Sequence, residues 1–320
     1  MQNETLSLFD DEPEPPSRTP LGDKLASLAS QNIYIGTSSW KYEGWIGQIY
    51  TESRYRTRGR FSQKRFQAEC LNEYAATFPI VCGDFSFYQF PSQEYWQRLF
   101  SSAPRSLKYA FKAPEEVTVK TFPTHPRYGP RAGEDNPTFM NAELFRNAFL
   151  DLLEPYRGQI AVVIFEFGSF GKQVYRDAAE FVAQLDPFLG ALPGGFRYAV
   201  EVRNPDYLDH DYFSCLRDRS IAHVLNAWTR MPLISEQILL PEVFTANFTV
   251  SRALLRKGRT YEEAVAKFSP YQKIQEPNHE VRQALKNLIG RARDRHEPSY
   301  IFVNNRLEGN APKTIEAIVD

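Results

Sequence analysis

From residue 33 to the end of the chain, short β-rich runs alternate with helical stretches. This order predicts parallel strands joined by crossover helices. Eight alternations favour an α/β protein with a (β/α)₈ TIM-like barrel, and an open doubly wound sheet is the alternative. The barrel is favoured because no glycine-rich phosphate turn follows any predicted strand, as an open nucleotide-binding sheet would require.

The predicted strands are 33–40, 81–90, 107–113, 160–167, 196–203, 221–226, 244–251 and 300–305. The predicted helices are 63–77, 93–100, 142–155, 173–188, 211–219 and 278–295, with short helical turns at 236–242 and 262–268. Residues 32–320 are therefore expected to form a single barrel domain.

Residues 1–31 are predicted to be a disordered acidic tail. The stretch 10–20 holds four prolines and no aliphatic residue, so it cannot bury enough apolar surface to offset the entropy of ordering. Residues 1–32 carry a net charge of −4 and the rest of the chain carries +3. A mildly basic body fits an anionic small ligand better than electrostatic capture of nucleic acid.

An apolar island within this tail, residues 5–9, reads Thr-Leu-Ser-Leu-Phe. It resembles the Gln-Leu-Ser-Leu-Phe pentapeptide that docks bacterial proteins on the replication sliding clamp, with threonine in place of glutamine. Leu6, Leu8 and Phe9 would enter an apolar groove of the clamp. The alternative is that the island packs on the body of the protein.

Composition excludes several other classes. No apolar run approaches the roughly 18 residues that span a bilayer, and the N-terminus has neither the basic start nor the apolar core of a secretory signal. Three widely spaced cysteines, Cys70, Cys82 and Cys215, indicate a reducing compartment, so we expect a cytoplasmic protein. The five histidines lack the spacing of metal ligands, and His223 is interpreted as a core residue, so neither metal nor cofactor is expected.

Polar residues at the strand ends are the candidate site, because the carboxyl ends of barrel strands and the loops after them build active sites. The predicted catalytic residues are Lys112, Glu166, Glu201 and Arg203. The predicted substrate-binding residues are Trp40, Asp84, Tyr88, Arg252, Asn304 and Asn305, with Arg252 placed just after the seventh strand.

The expected roles follow from the chemistry of these side chains. Lys112, Arg203 and Arg252 would bind an anion, while Glu201 with Glu166 would transfer protons. The two asparagines would orient the substrate, and the two aromatic residues would form an apolar wall. The alternatives are that the asparagines cap the next turn, that Trp40 belongs to the core and that Lys112 extends to solvent. Glu201 and Arg203 are two apart and share one strand face, so a structural ion pair is the alternative for them.

Two loops add basic character. Arginine recurs at 54, 56, 58 and 60, and the loop 118–138 contains Lys120, His125, Arg127 and Arg131. Arginine matches phosphate oxygens, so these loops are expected to form a phosphate-binding rim, the longer one being a candidate lid. Solvated surface loops are the alternative.

Five sequence blocks, taken together and in this order, resemble the YecE-like family, domain of unknown function 72. The blocks are 35–40 with Trp45, 87–91, 109–113, 198–205 with Leu208, and 302–305 with 308–312. The resemblance implies a TIM-like barrel and the positions of a site, but no reaction. The chain departs from the family pattern at Cys82, where a glutamate is expected, at Asp84 for asparagine, and at Glu166 for glutamine. The segment 248–254 keeps the arginine of the seventh-strand motif and lacks its histidine.

The sequence therefore favours an enzyme that acts on an anionic, phosphorylated or carboxylated, small molecule by metal-independent acid/base chemistry. Two alternatives stay open: a nucleic-acid-associated protein with a clamp-binding tail, and a ligand-binding barrel without catalysis.

Overall fold

A closed barrel of eight parallel strands forms the centre of the protein. The computed structural model describes residues 16–320. The strands, in chain order, are β1 Ile33–Thr37, β2 Ile80–Gly83, β3 Lys108–Lys112, β4 Ile160–Glu166, β5 Tyr198–Glu201, β6 Ala222–Ala227, β7 Thr249–Ala253 and β8 Ser299–Val303. Each strand pairs with its neighbours in the chain, and β8 pairs with β1 over five residues to close the barrel. The predicted fold class is confirmed.

The helices lie between and around these strands. They are α1 Pro20–Ala29, α2 Gln63–Thr77, α3 Gln93–Ser101, α4 Glu115–Thr118, α5 Ala142–Phe145, α6 Asp151–Leu153, α7 Ala178–Gly190, α8 His210–Asp218, α9 Ile234–Gln237, α10 Tyr261–Phe268, α11 His279–Arg295 and α12 Ala311–Val319. A small antiparallel hairpin, Arg56–Thr57 with Arg60–Phe61, follows β1.

Strand residues alternate between the barrel lumen and the helical layer, as the period of two requires. In β4, Val162 and Ile164 belong to the lumen cluster, whereas Val163 and Phe165 pack with the outer core. The next residue of the inward series is Glu166, at the carboxyl end of β4. The same alternation determines which polar side chains meet at the mouth of the barrel.

The boundary of the predicted tail was wrong between residues 20 and 29, which form helix α1. Thr19 caps this helix, its hydroxyl accepting a hydrogen bond from the amide of Gly22 at 3.0 Å, and Pro20 occupies its first turn. Leu25 and Leu28 are buried against the barrel wall. The helix was missed because the proline-rich stretch before it dominates the local composition. The clamp-like segment with Leu6, Leu8 and Phe9 lies outside the described residues.

Two predicted strands differ from the structure. The run 81–90 is a strand only as far as Gly83, and Phe85–Phe87 forms a 3₁₀ turn. The run 244–251 was placed too early, because the Thr245 hydroxyl bonds the His223 amide and the Ile221 carbonyl and holds its segment outside the ladder. Arg252 therefore lies inside β7 rather than after it.

Two predicted helices are also shorter or interrupted. The helix predicted at 173–188 begins at Ala178, because the Asp177 carboxylate caps it by accepting from the Glu180 amide at 3.0 Å. The helix predicted at 142–155 contains a π-helical turn at Arg146–Leu150. Within residues 16–320, none of the helices has the length and apolar character needed to cross a bilayer.

Candidate active site

Six ionisable side chains meet at the carboxyl end of the barrel lumen, and we call them the ionic cluster. They are Asp84 after β2, Lys112 in β3, Glu166 in β4, Glu201 in β5, Arg203 after β5 and Arg252 in β7. Every one of them was predicted from the sequence as a site residue. They comprise three cations and three carboxylates, so the cluster is balanced in formal charge.

Arg252 lies at the centre of the ionic cluster and is only 2% exposed. Its Nη1 contacts carboxylate oxygens of both Glu166 and Glu201, and its Nη2 lies 3.4 Å from Asp84 Oδ1. One guanidinium thus contacts carboxylates in, or directly after, three different strands. Burial alone would lower the pKa of Arg252, but the carboxylates of Glu201 and Glu166 raise that pKa well above the ordinary value and keep the guanidinium protonated.

Among the three acids of the ionic cluster, Glu166 has the most cationic neighbours. Its Oε1 lies 3.1 Å from Lys112 Nζ, and its Oε2 lies 3.1 Å from Arg203 Nη2 as well as contacting Arg252. Burial alone would raise the pKa of Glu166, but the charges of Lys112, Arg203 and Arg252 hold that pKa well below its usual range. Glu166 is therefore ionised at neutral pH.

The acids of the ionic cluster differ in their accessibility. Glu201 is fully buried, with Oε1 2.8 Å from Arg203 Nη2 and Oε2 against Arg252. The side chain of Glu166 is 17% exposed and that of Asp84 is 32% exposed. Glu201 is thus placed to hold two arginines, while Glu166 and Asp84 are the acids that a ligand at the mouth can reach.

Two aromatic rings cover cations of the ionic cluster. Lys112 Nζ lies 3.9 Å from the ring centre of Phe87, and the Arg203 guanidinium lies 3.7 Å from that of Trp228. Such contacts stabilise a cation in an environment with little water. Neither ring was among the predicted site residues, although both follow strand ends, the signal that had singled out Trp40.

Several polar atoms of the cluster have no hydrogen-bond partner within the described part of the chain. They are Nε and Nη1 of Arg203, Nε of Arg252, Oδ1 of the neighbouring Asn226, and Oε1 of Glu201, which lies in an ion pair with Arg203 without hydrogen-bond geometry. Asn226 pairs in register with Arg252 and donates through Nδ2 to the Val202 carbonyl at 3.1 Å. Buried donors and acceptors of this kind are rarely left unsatisfied, so they indicate a place for ligand or solvent oxygen.

The other four predicted substrate-binding residues share no hydrogen bond or ion pair with the ionic cluster among the residues described. Asn305 Oδ1 accepts from Trp45 Nε1 at 3.2 Å and from the Ala311 amide at 2.7 Å, so it fastens the chain after β8. Asn304 caps its own turn by accepting from the Arg306 amide. Trp40 is buried, and Tyr88 is 54% exposed beneath the Arg127 guanidinium.

Cys82 lies in the lumen below the ionic cluster, at one of the departures from the family pattern. Burial raises the pKa of its thiol to about 12. The thiol is therefore neutral and is not a ready nucleophile.

Within residues 16–320, no group of three or more His, Cys, Asp or Glu side chains is arranged to hold a metal ion. The three acids of the ionic cluster already face guanidinium or ammonium groups.

The basic loops contain many internal ion pairs. Arg56 lies 2.8 Å from Glu52, and Arg65 lies 2.9 Å from Glu69. In the longer loop, Arg127 donates to Glu115 at 2.6 Å, and the buried Asn136 side chain bonds carbonyls at the start of the loop. The phosphate-binding rim, the lid, the nucleic-acid role and the cytoplasmic location stay predictions.

Together, the closed barrel and the charged mouth define a (β/α)₈ barrel protein with an ionic cluster at the end where barrel sites form. The chain belongs to the family described as protein of unknown function DUF72, whose model matches residues 34–320.

Solved structures of that family share the fold. A DUF72 family protein from Thermotoga maritima is 22% identical, with a TM-score of 0.57, over 88% of this chain and 96% of that one. A DUF72 family protein from Enterococcus faecalis is 15% identical, with a TM-score of 0.58, over 89% and 94% of the two chains. No curated protein sequence matches the chain.

Proposed function

We propose that the protein is an enzyme that acts on an anionic small molecule, phosphorylated or carboxylated, by metal-independent acid/base chemistry at the ionic cluster. The observation that carries this proposal is the convergence of three cations and three carboxylates, brought by β2, β3, β4, β5 and β7, at the carboxyl end of the lumen.

Stability alone is a weak reason for such a cluster. A buried ion pair is often no more stabilising than well-packed apolar residues of the same volume, because both charges lose their hydration. The lumen below is filled by apolar side chains such as Ile164, Val224 and Phe302. The unpartnered donors of Arg203 add a further unfavourable term that a bound oxyanion would remove.

The arrangement supports a division of labour. Lys112 and Arg203 would hold the anionic group and stabilise negative charge that develops during the reaction. Glu201 would position Arg203 and Arg252, because it contacts both and is inaccessible. Glu166, ionised and partly exposed, would accept the proton.

Ligand binding would itself make Glu166 a better base. In the free protein, three cations lower the pKa of Glu166. An incoming oxyanion would share Lys112 and Arg203, which weakens their effect on Glu166 and raises its pKa toward neutrality. A base activated in this way gains proton affinity only when substrate is present.

Replacement of one cation of the ionic cluster tests the proposal. Lys112→Gln should weaken the binding of inorganic phosphate by about tenfold, because one charge–charge contact is lost from the site. Isothermal titration calorimetry on the full chain measures this, with circular dichroism as the check on folding.

Lys108→Gln is the matched control, since Lys108 begins the same strand and bonds the Gly158 carbonyl at the other end of the barrel. Its phosphate affinity should equal that of the wild type. The proposal fails if the wild-type protein does not bind phosphate, or if both variants bind it equally well.

A further inference from the structure

A cavity of about 200 Å³ lies between the loops that follow β6 and β7 and the start of α11. Its inner surface includes Trp228, Met231, Ile234, Leu255 and Val281. Met231, Ile234 and Leu255 are fully buried. The cavity therefore lies among the loops at the carboxyl end of the barrel, with apolar side chains on one part of its lining and the polar side chains of Arg256, Lys257, Asn278 and Glu280 on another.

Trp228 connects this cavity to the ionic cluster. It lines the cavity, and its ring centre lies 3.7 Å from the guanidinium of Arg203. Arg203 is 5% exposed, and its Nε and Nη1 have no partner among the described residues. Unpartnered cationic donors thus lie directly behind one wall of an apolar cavity.

The charged side chains that line the cavity have partners outside its lining. Lys257 Nζ lies 3.6 Å from Glu236, and the Glu280 carboxylate accepts a hydrogen bond from the Ser235 hydroxyl. The lining therefore combines apolar side chains with charged ones that already have a partner. The volume exceeds the roughly 150 Å³ that accommodates a benzene ring in an apolar protein cavity.

We infer that this cavity binds the apolar part, a ring or branched hydrocarbon, of an organic anion whose charged head contacts Arg203. The inference rests on the proposed function and narrows its substrate class from small anions in general to amphipathic ones. An apolar pocket beside a few convergent polar groups is the usual composition of a small-molecule site.

Three probes distinguish anion binding at the ionic cluster from binding of an apolar group in the cavity: inorganic phosphate, phenyl phosphate and phenol. Each is titrated calorimetrically into the full chain. Phenyl phosphate should bind about tenfold more tightly than inorganic phosphate, because its ring is removed from water. Phenol should bind weakly to the cavity alone.

Two variants fill the cavity from different sides. Leu233→Trp and Ala227→Leu each enlarge a lining residue. Both should abolish the preference for phenyl phosphate and leave the affinity for inorganic phosphate unchanged. Leu239→Trp is the matched control, because Leu239 is 82% exposed and lies outside the cavity lining, so it should behave as the wild type.

The possible failures differ. Equal affinity for the two phosphates, or a preference that survives both filling variants, overturns the inference and leaves the proposed function standing. Phenol binding that the variants remove, without any phosphate binding, supports the cavity and overturns the anion-binding function. If none of the three probes binds, both are overturned.

Discussion

At the residue scale, His223 shows how strongly burial affects protonation. It belongs to β6, and its ring packs against α8, where Nδ1 is 3.1 Å from the Tyr212 hydroxyl and the Phe213 ring lies beside it. Loss of hydration lowers the pKa of His223 from 6.5 to about 4. The interpretation of His223 as a core histidine agrees with this position.

This pKa predicts a pH-dependent stability. The neutral form is favoured in the folded state, so the contribution is complete above pH 6.5 and is lost as the pH falls toward 4, where the unfolded chain binds the proton more readily. The shift corresponds to about 3 kcal/mol. Urea unfolding from neutral pH to about pH 4 measures it, and His223→Gln should flatten the dependence. His210→Gln, which changes an exposed histidine, should keep the steep dependence of the wild type, and a flattening in this variant as large as in His223→Gln would contradict the assignment.

At the scale of elements, the sequence predicted all eight strands, because short apolar runs are typical of buried parallel strands, but it misplaced the bounds of the second and the seventh. The two-residue period of a β-strand then predicted part of the ionic cluster, since Glu201 and Arg203 share one face wherever the strand ends. For Asn304 and Asn305 the alternative of local capping fits the structure better than substrate binding, because their side chains accept from the backbone amides of Arg306 and Ala311. Trp228 and Phe87 were missed because a ring on a cation is a contact between distant parts of the chain.

Helix α1 provides the prediction at this scale. Thr19→Ala removes the cap and the contact with the Thr77 hydroxyl at 3.2 Å, so it should lower the free energy of unfolding by about 1 kcal/mol. Thr19→Ser keeps the capping oxygen and should retain most of that stability. If chemical denaturation gives the same free energy for Thr19→Ala and the wild type, α1 contributes little to the fold.

At the scale of the whole molecule, Arg252 links acids from opposite parts of the barrel through its lumen. Asp84, Glu166 and Glu201 each contact its guanidinium, and the side chain is almost wholly buried. A group in this position contributes to the barrel as a unit rather than to one strand pair.

Arg252→Met should therefore destabilise the whole barrel by about 3–5 kcal/mol, because it leaves buried carboxylates without their shared cation. Adding Glu201→Gln should recover part of this loss, since it removes one of the unpaired charges. Arg256→Met, at a partly exposed arginine 3.1 Å from Glu276, should cost less than about 1 kcal/mol. Similar urea midpoints for Arg252→Met and Arg256→Met would show that the ion pairs of Arg252 do not stabilise the barrel as a whole.

The contact between Trp228 and Arg203 also allows ligand binding at the site to be followed by tryptophan fluorescence. The chain has four tryptophans, and Trp40, Trp45 and Trp96 are each at most 5% exposed, whereas Trp228 is partly exposed and lies on a guanidinium. Indole emission responds to nearby charge and water, so a molecule that reaches Arg203 would change the fluorescence of this one ring while the other three stay constant. Unlabelled protein could then be screened against libraries of organic acids and phosphate esters by its own emission.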